Sequence, residues 1–405
     1  MVLSYDTKEW EHIHRATGKF PGPLVLLPWL EREKRLRGAD PAYIPYILAA
    51  TGQEWKERRV LVDQKFMVLS QVQNYMEGID VIGDDFVKIM DKCIDSEGNW
   101  KDIEHNVFAF STEGIGWVVF GTRLHVLSEN LSARSRNFID TLGSLFDVMS
   151  YLMNSRMYKY WNTSQWNKFN SIISELEKIG KQYLDEAESG PREKQDLASF
   201  MIQNGTPKDV AVKDALTMLF AGSHSTSLAL LWLIYNLGKY PDVQEQLRSE
   251  VLSAVPRGTK VTPEALKKMK YLRDTIKESL RVTPSNASLV RVLDDPVVIN
   301  GYEVPPQTMI VMMQWTELKD PVQFPEPNKF SPDRWKETKP SPWIHLPFGF
   351  GPRMCQGFRV SELEQYIFVV KLIQNYSWTT EEDVEASMNM FVGPDRPLKI
   401  KWKKL

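Results

Sequence analysis

Cysteine is scarce: Cys93 and Cys355 are the two in 405 residues. Two thiols argue against a disulfide framework, suggest a reducing compartment and leave too few ligands for an iron–sulfur cluster. Charge of one sign is lacking as well. Fifty Lys and Arg against 52 Asp and Glu leave a formal net charge of −2, and no basic run is interleaved with aromatics that could stack on bases, so nucleic acid is not the expected partner. The six histidines are scattered, and His12 and His14, two apart, split across a helix, which gives a zinc site no support. No Gly/Ser linker, repeat or low-complexity run divides the chain, so one large domain is expected. The opening MVLSYDTKEW has neither the apolar core of a signal peptide nor the Arg/Ser-rich character of a transit peptide. The longest apolar stretch, Ala215 to Leu237, is interrupted by Gly222-Ser223-His224-Ser225-Thr226-Ser227. Those residues are costly in lipid, so the stretch reads as a buried helix.

What is present is helical periodicity. Apolar spacing predicts helices over 6–17, 53–62, 66–95, 105–121, 133–153, 162–187, 207–239, 241–254, 263–267, 269–282 and 357–376, with strands near 290–299, 307–314 and 396–404. The fold expected is mainly α with small β-sheets, an α+β architecture. For the 207–239 helix, Thr206 with Asp209 reads as a capping box and Pro207 as a first-turn residue, and the helix should end before Pro241. At 1.5 Å per residue it spans about 50 Å, enough to pass through the core.

The densest signal is Pro347-Phe348-Gly349-Phe350-Gly351-Pro352-Arg353-Met354-Cys355-Gln356-Gly357. A single cysteine lies in a glycine-rich turn, and a helix follows through Val360, Leu363, Tyr366, Ile367, Val370 and Ile373. Helix N-terminal amides favour a thiolate there. Gly349 and Gly351 let backbone approach the sulfur, Phe348 can cover a flat apolar face, and Arg353 can meet an anion. A flat ligand with one soft metal and peripheral carboxylates suits this set: haem, ligated through Cys355. The plainer reading is a loop cysteine before an ordinary helix.

The string resembles the F-x-x-G-x-R-x-C-x-G signature of the cytochrome P-450 superfamily, with Phe348, Gly351, Arg353, Cys355 and Gly357 at the fixed positions. That resemblance implies a long central helix over haem b. It implies further roles elsewhere. Glu278 and Arg281, three apart on one helix, with Arg334 in Phe330-Ser331-Pro332-Asp333-Arg334-Trp335, would form a Glu–Arg–Arg triad that holds the cysteine loop in place. Trp55 and Arg59 match a W-x-x-x-R element that meets a haem edge, Arg291 and Arg353 would bind propionates, and His345 is a further candidate. Ala221-Gly222-Ser223-His224-Ser225-Thr226 is similar to the element that bulges over the iron, with His224 where an acid is usual and Ser225 where an alcohol is usual. Because a hydroxyl positions water and a histidine titrates near neutral pH, His224, Ser225 and Thr226 are the expected proton relay.

Several stretches resemble the mitochondrial, ferredoxin-driven branch: Arg15-Ala16-Thr17-Gly18-Lys19-Phe20-Pro21, Leu27-Pro28-Trp29-Leu30, the Trp55 helix, and Phe358-Arg359-Val360-Ser361-Glu362-Leu363-Glu364. By position Arg273, Lys277 and Arg359 would meet an acidic ferredoxin, although Phe358 stands where an arginine is usual. The same resemblance expects a presequence, a first helix and two strands before residue 6, so the chain reads as short at its front and strand 307–314 should lack its neighbours. Trp29, Ala221 and the Ala287–Leu289 stretch are the expected cavity lining. Aromatics and methionines from Phe146 to Trp161 suit a pocket wall or a membrane-dipping surface.

The function implied is a monooxygenase acting on a lipophilic steroid, sterol or secosteroid-like molecule, with O2 and with electrons from NADPH through a reductase and ferredoxin. It would be a monomer, peripherally associated with the mitochondrial inner membrane on the matrix side or with the endoplasmic reticulum. A haem-thiolate isomerase or dehydratase that needs no redox partner, and a non-catalytic haem-binding protein, stay open.

Overall fold

The computed structural model describes residues 1–20, 22, 26–128, 130–189, 196–337, 339–388 and 390–405; Pro21 of the motif above lies outside them. Its elements run β1 (Val2–Ser4), α1 (Thr7–Arg15), α2 (Leu27–Ala39), α3 (Gly52–Phe66), α4 (Leu69–Gln73), α5 (Met76–Cys93), α6 (Ile103–Phe120), α7 (Ala133–Asn154), α8 (Ser164–Ser189) and α9 (Leu197–Gln203). The central α10 (Lys208–Lys239) is followed by α11 (Pro241–Ala254), α12 (Pro263–Lys268), α13 (Lys270–Val282), β2 (Leu289–Val292), β3 (Val297–Ile299), β4 (Tyr302–Val304) and β5 (Met309–Met312). The last part holds α14 (Gln314–Glu317), α15 (Arg334–Glu337), α16 (Phe358–Asn375), β6 (Tyr376–Thr380), β7 (Ala386–Met388), β8 (Val392–Pro394) and β9 (Ile400–Lys404).

α10 is the axis of the molecule. It packs on α6, and nearly all of its side chains are buried. It is also long and apolar enough to cross a membrane, but most of it is covered by protein, as in a core helix. Contrary to the capping-box expectation, the helix starts at Lys208 with Pro207 as N-cap and no side chain capping it. Thr206 instead turns its amide back to Met201 O at 3.0 Å, closing the end of α9.

The 66–95 helix is three pieces rather than one. Extended backbone at Val68 ends α3 and starts α4, and α5 begins after Tyr75; apolar spacing persists across such breaks and does not reveal them. α2 and α9 were not expected. α2 buries only four of its thirteen residues, too few to set a period, whereas α9 rests on Asp196, whose carboxylate caps Ser199 N at 2.8 Å.

Strand 307–314 is not an edge. β5 is the middle strand of three, with β1 parallel on one side (Val2↔Ile310) and β2 antiparallel on the other (Leu289↔Met312). The 290–299 strand breaks at Asp294-Asp295-Pro296 into β2 and β3, and β3 pairs with β4 in a hairpin. β6 pairs with β9 beside the C-terminal half of α10, and β7 with β8.

Candidate active site

The cysteine turn is built by its glycines and closed on itself. Gly349 and Gly351 have φ of 71° and 79°, values open to glycine at little cost. Cys355 N donates to Phe348 O at 2.8 Å, Met354 N to Gly351 O at 3.0 Å, and Ser361 N to Gly357 O at 2.8 Å, so the turn runs straight into α16. Phe348 packs against the main core with its ring 6.0 Å from Phe358. The Cys355 side chain is surrounded by protein yet accessible, as for a group facing an internal space. Burial pushes its thiol above the usual range, and the Gly357 amide and Arg59 only partly offset this. The helix end therefore does not make a thiolate unaided; a metal ion on the sulfur would.

Thr226 fixes α10 over this turn. Its Oγ1 lies 3.1 Å from Ser361 Oγ on α16, which places Ser225 and Cys355 each within about two turns of the same bond. Thr226 is buried and faces α16, so it is a structural tie and not part of an open relay. One turn away Ala221 is exposed in the middle of a helix whose other exposed residues, Lys208, Asp209 and Lys239, lie at its ends. Ala221, His224 and Ser225 share that face by their i, i+3, i+4 spacing. Ser225 Oγ donates to Ala221 O at 2.7 Å. α10 stays regular through this stretch, without the expected bulge. His224 stacks on Phe146 at 4.3 Å, and burial pushes its pKa down to about 4. Burial thus favours its neutral form, which weighs against the neutral-pH relay expected of it. Ser225 alone of the three presents a hydroxyl on the accessible face.

Arginines gather on the other side of the turn. Arg353 stacks its guanidinium 4.1 Å over Trp55 and donates to Ala50 O at 2.8 Å. Arg59, one turn after Trp55 on α3, donates to Met354 O at 3.0 Å and to Asp63 at 3.1 Å. Arg291 on β2 donates to Phe350 O at 2.7 Å and to Val290 O at 2.8 Å, while its Nε is buried without a partner. Burial lowers Arg291 to about 10, and burial with the nearby Arg59 lowers Arg353 to about 9. Buried cations held this way call for anions. His14, set aside on sequence, also belongs here. Buried between Trp343 and Phe350 with both ring nitrogens unpartnered, it is pushed down to about 3 by burial and then by Arg291.

His345 is not with these arginines. Its ring packs at a tilt against Trp335 at 5.1 Å, and burial, Lys277 and Arg281 hold it near 3, on the side of the triad. Glu278 accepts from Arg281 Nη2 at 2.8 Å and Nε at 3.0 Å, from Arg334 Nε at 3.2 Å and from Ser331 N at 3.0 Å. Arg281 also donates to Leu318 O, Pro327 O and Lys329 O, and Arg334 to Pro325 O, Glu326 O and Lys329 O. Every one of these acceptors lies in the 318–331 segment, so the triad folds that segment rather than gripping the cysteine turn directly.

The expected cavity lining divides. Ala221 is accessible. Ala287 and Leu289 are buried, Leu289 in the small core that β2 and β5 share with Trp10, and Trp29 is buried against Tyr46, Phe169 and Phe220. A narrow apolar void, lined by Trp29, Leu142, Ile173 and Leu216 among others, sits beside it. Phe108, Phe220 and Phe391 were not singled out on sequence, yet they surround the open face. Phe391 reaches it through the β7–β8 turn, which no local pattern announces. Of the surface cations, Lys277 rests its ammonium 3.7 Å over Trp335, Arg273 donates to Leu266 O at 2.8 Å, and Arg359 lies 4.8 Å over Phe358.

A turn that offers a thiol to an internal space, with an open helix face on one side and buried arginines on the other, matches what a family comparison finds. The Cytochrome P-450 family model covers residues 1–402. The chain belongs to the cytochrome P-450 family. It is 29% identical to Cytochrome P-450 10 of Lymnaea stagnalis over 411 positions, 98% of this chain and 74% of that protein. It is 28% identical to the mitochondrial cholesterol side-chain cleavage enzyme of Oncorhynchus mykiss (97% and 78% covered), and 28% to that of Bos taurus (96% and 76%). Membership makes this cytochrome P-450 a monooxygenase whose cofactor is haem b. The residues fit that group: Cys355 as the soft ligand, Arg291 with an unused buried donor, Arg59 and Arg353 beside it. Among the described residues no cluster of three or more His, Cys, Asp or Glu side chains offers another metal site.

Proposed function

We propose that this cytochrome P-450 hydroxylates a sterol- or secosteroid-like lipid in mitochondria, driven by NADPH through a ferredoxin reductase and a ferredoxin. The observation that carries the reading is an accessible Cys355 in the turn that runs into α16, with α16 tied through Ser361 to Thr226 of α10, the helix on which Ala221 is exposed. When bound, thiolate-ligated haem supplies the activation of dioxygen for insertion of one oxygen atom into a C–H bond.

The chain's own residues do the rest. Cys355 would ligate the iron, while Arg59, Arg291 and Arg353 hold the propionates, with Trp55 stacked under Arg353. The Ser225 hydroxyl, hydrogen-bonded to Ala221 O, would be the group that orders water on the accessible face of α10. Phe108, Phe146, Phe220 and Phe391 exclude bulk water and favour a flat lipophile. The sterol class and the mitochondrial setting rest on the relatives' names.

Membrane contact is supported by Tyr151, Met157, Tyr160 and Trp161, which expose 53%, 43%, 78% and 56% of their surface around the end of α7, an aromatic cluster suited to a lipid interface. For ferredoxin, Arg273, Lys277 and Arg359 stay on α13 and α16, but Lys277 and Arg273 are partly committed to Trp335 and to the end of α12.

The test is spectral and catalytic. Reduced protein with carbon monoxide is expected to give the absorption typical of thiolate-bound haem, and Cys355→Ala to abolish it. Ferredoxin, its reductase and NADPH should then drive O2-dependent oxidation of a sterol, read by mass spectrometry. Survival of the thiolate spectrum in Cys355→Ala would refute the ligand, and turnover with peroxide but not with reductant would favour an isomerase.

A further inference from the structure

Three side chains of α10 share the accessible face, and two have no free donor to give a substrate. Ala221 has no polar group, and the Ser225 hydroxyl spends its proton on Ala221 O and can only accept. His224 differs. Among the described residues no hydrogen bond reaches its ring nitrogens, and neither nitrogen is sealed off as a buried unpartnered atom. A polar group in that condition faces open space.

The ring is also fixed in orientation. Phe220 stacks on Phe146 at 4.5 Å and 9°, and Phe146 stacks on His224 at 4.3 Å and 24°. Phe220 continues to Trp29 at 5.2 Å, and Trp29 to Tyr46 at 5.2 Å. Phe108 and Phe391 close on the imidazole at 6.1 and 5.8 Å. The imidazole thus ends a ladder of rings drawn from α2, α7 and α10. Stacking occupies its face and leaves the in-plane nitrogens for bonding. Held neutral by burial, it carries one N–H donor and one acceptor nitrogen.

We infer that His224 is a specificity-determining residue that hydrogen-bonds a hydroxyl or carbonyl oxygen of a flat lipophilic substrate lying against Phe146 and Phe391. A hydrocarbon of the same shape would leave the imidazole desolvated and unpaired, which is how a site built around one polar group rejects the analogue lacking its partner. This rests on the proposal that the site takes a sterol-like lipid.

Cholesterol and cholest-5-ene, which differ by one hydroxyl, separate the two ideas. Both are titrated into the haem-loaded protein and followed by the spectral shift that accompanies displacement of the iron-bound water. Wild type is expected to bind cholesterol about tenfold more tightly, the order of one neutral hydrogen bond. His224→Phe keeps the ring stack and should bring that ratio to about one, with the hydrocarbon's affinity changed by less than about twofold; His224→Gln, retaining a donor and an acceptor, should restore part of the preference. An unchanged ratio in His224→Phe, or equal loss of both ligands in both variants, would overturn the role of His224 alone. No shift with either sterol in wild type that has a normal carbon monoxide spectrum would overturn the sterol reading and this inference with it.

Discussion

Glu278→Ala is the substitution whose cost the structure specifies best. Glu278 and Arg281 are fully buried and Arg334 nearly so. The carboxylate accepts four hydrogen bonds, from two guanidiniums and one amide. Removing it leaves two cations close together in the interior without a counter-charge, which costs roughly 3–5 kcal/mol. Domain unfolding entropy near 60 °C is about 2.1 cal/mol/K per residue, so 405 residues give about 0.85 kcal/mol/K and a fall in Tm of about 4–6 °C. Differential scanning calorimetry of the holoprotein reads this directly. The 318–331 segment should become protease-sensitive in the same variant, because five carbonyls there are held by the two arginines. Glu278→Gln should lose less, since its amide oxygen can still accept from Arg281. A Tm within 1 °C of wild type for Glu278→Ala would refute the claim that the buried charges depend on one another.

Three further outcomes are expected. Burial raises the Glu364 carboxyl well above its ordinary 4.5, so the folded state holds a proton that the unfolded chain releases. The stabilisation is complete below about pH 4.5 and is lost as pH rises towards the folded value; urea unfolding of Glu364→Gln should gain on wild type between pH 5 and 7, by up to about 1.4 kcal/mol per pH unit, and an equal difference at both pH values would refute it. Arg291→Met removes a buried cation whose Nε has no partner; transfer of haem to excess apomyoglobin should quicken about tenfold, the scale of one charge-assisted hydrogen bond, with apoprotein stability unchanged or raised. Gly238→Ala would bring a methyl within 2.9 Å of Thr380 N and 3.0 Å of Trp378 Cδ1, costing roughly 1–3 kcal/mol by overpacking; an unaltered urea midpoint would contradict the close seating of β6 on α10.

Residues that act through sequence-local geometry were legible. Glu278 and Arg281 share a helical face by spacing, Trp55 and Arg59 likewise, and the glycines around Cys355 announce a tight turn. α10 was visible because a helix buried over most of its surface writes two long apolar runs, broken only where Gly222 to Ser227 meet the open face. What failed depended on neighbours distant in sequence. Burial lowers the pKa of His224, which lies among Phe146, Phe108 and Phe391 from three other segments, and His345 was drawn towards the arginines by its place in the chain although it packs on Trp335 beside Lys277. The Thr226 hydroxyl looked equivalent to that of Ser225, but a single residue's rotation about the helix axis, about 100°, turns it onto Ser361. Strand β5 seemed unsupported because three residues at the very start of the chain, Val2–Ser4, are too short to carry a strand pattern.

The arginines around the cysteine turn each grip a backbone carbonyl as well as facing inward: Arg59 holds Met354, Arg291 holds Phe350, and Arg353 holds Ala50. Those three bonds stitch the cysteine turn to segments near residues 50, 290 and 350. A nascent chain released before the last of these has emerged has no finished pocket to fill.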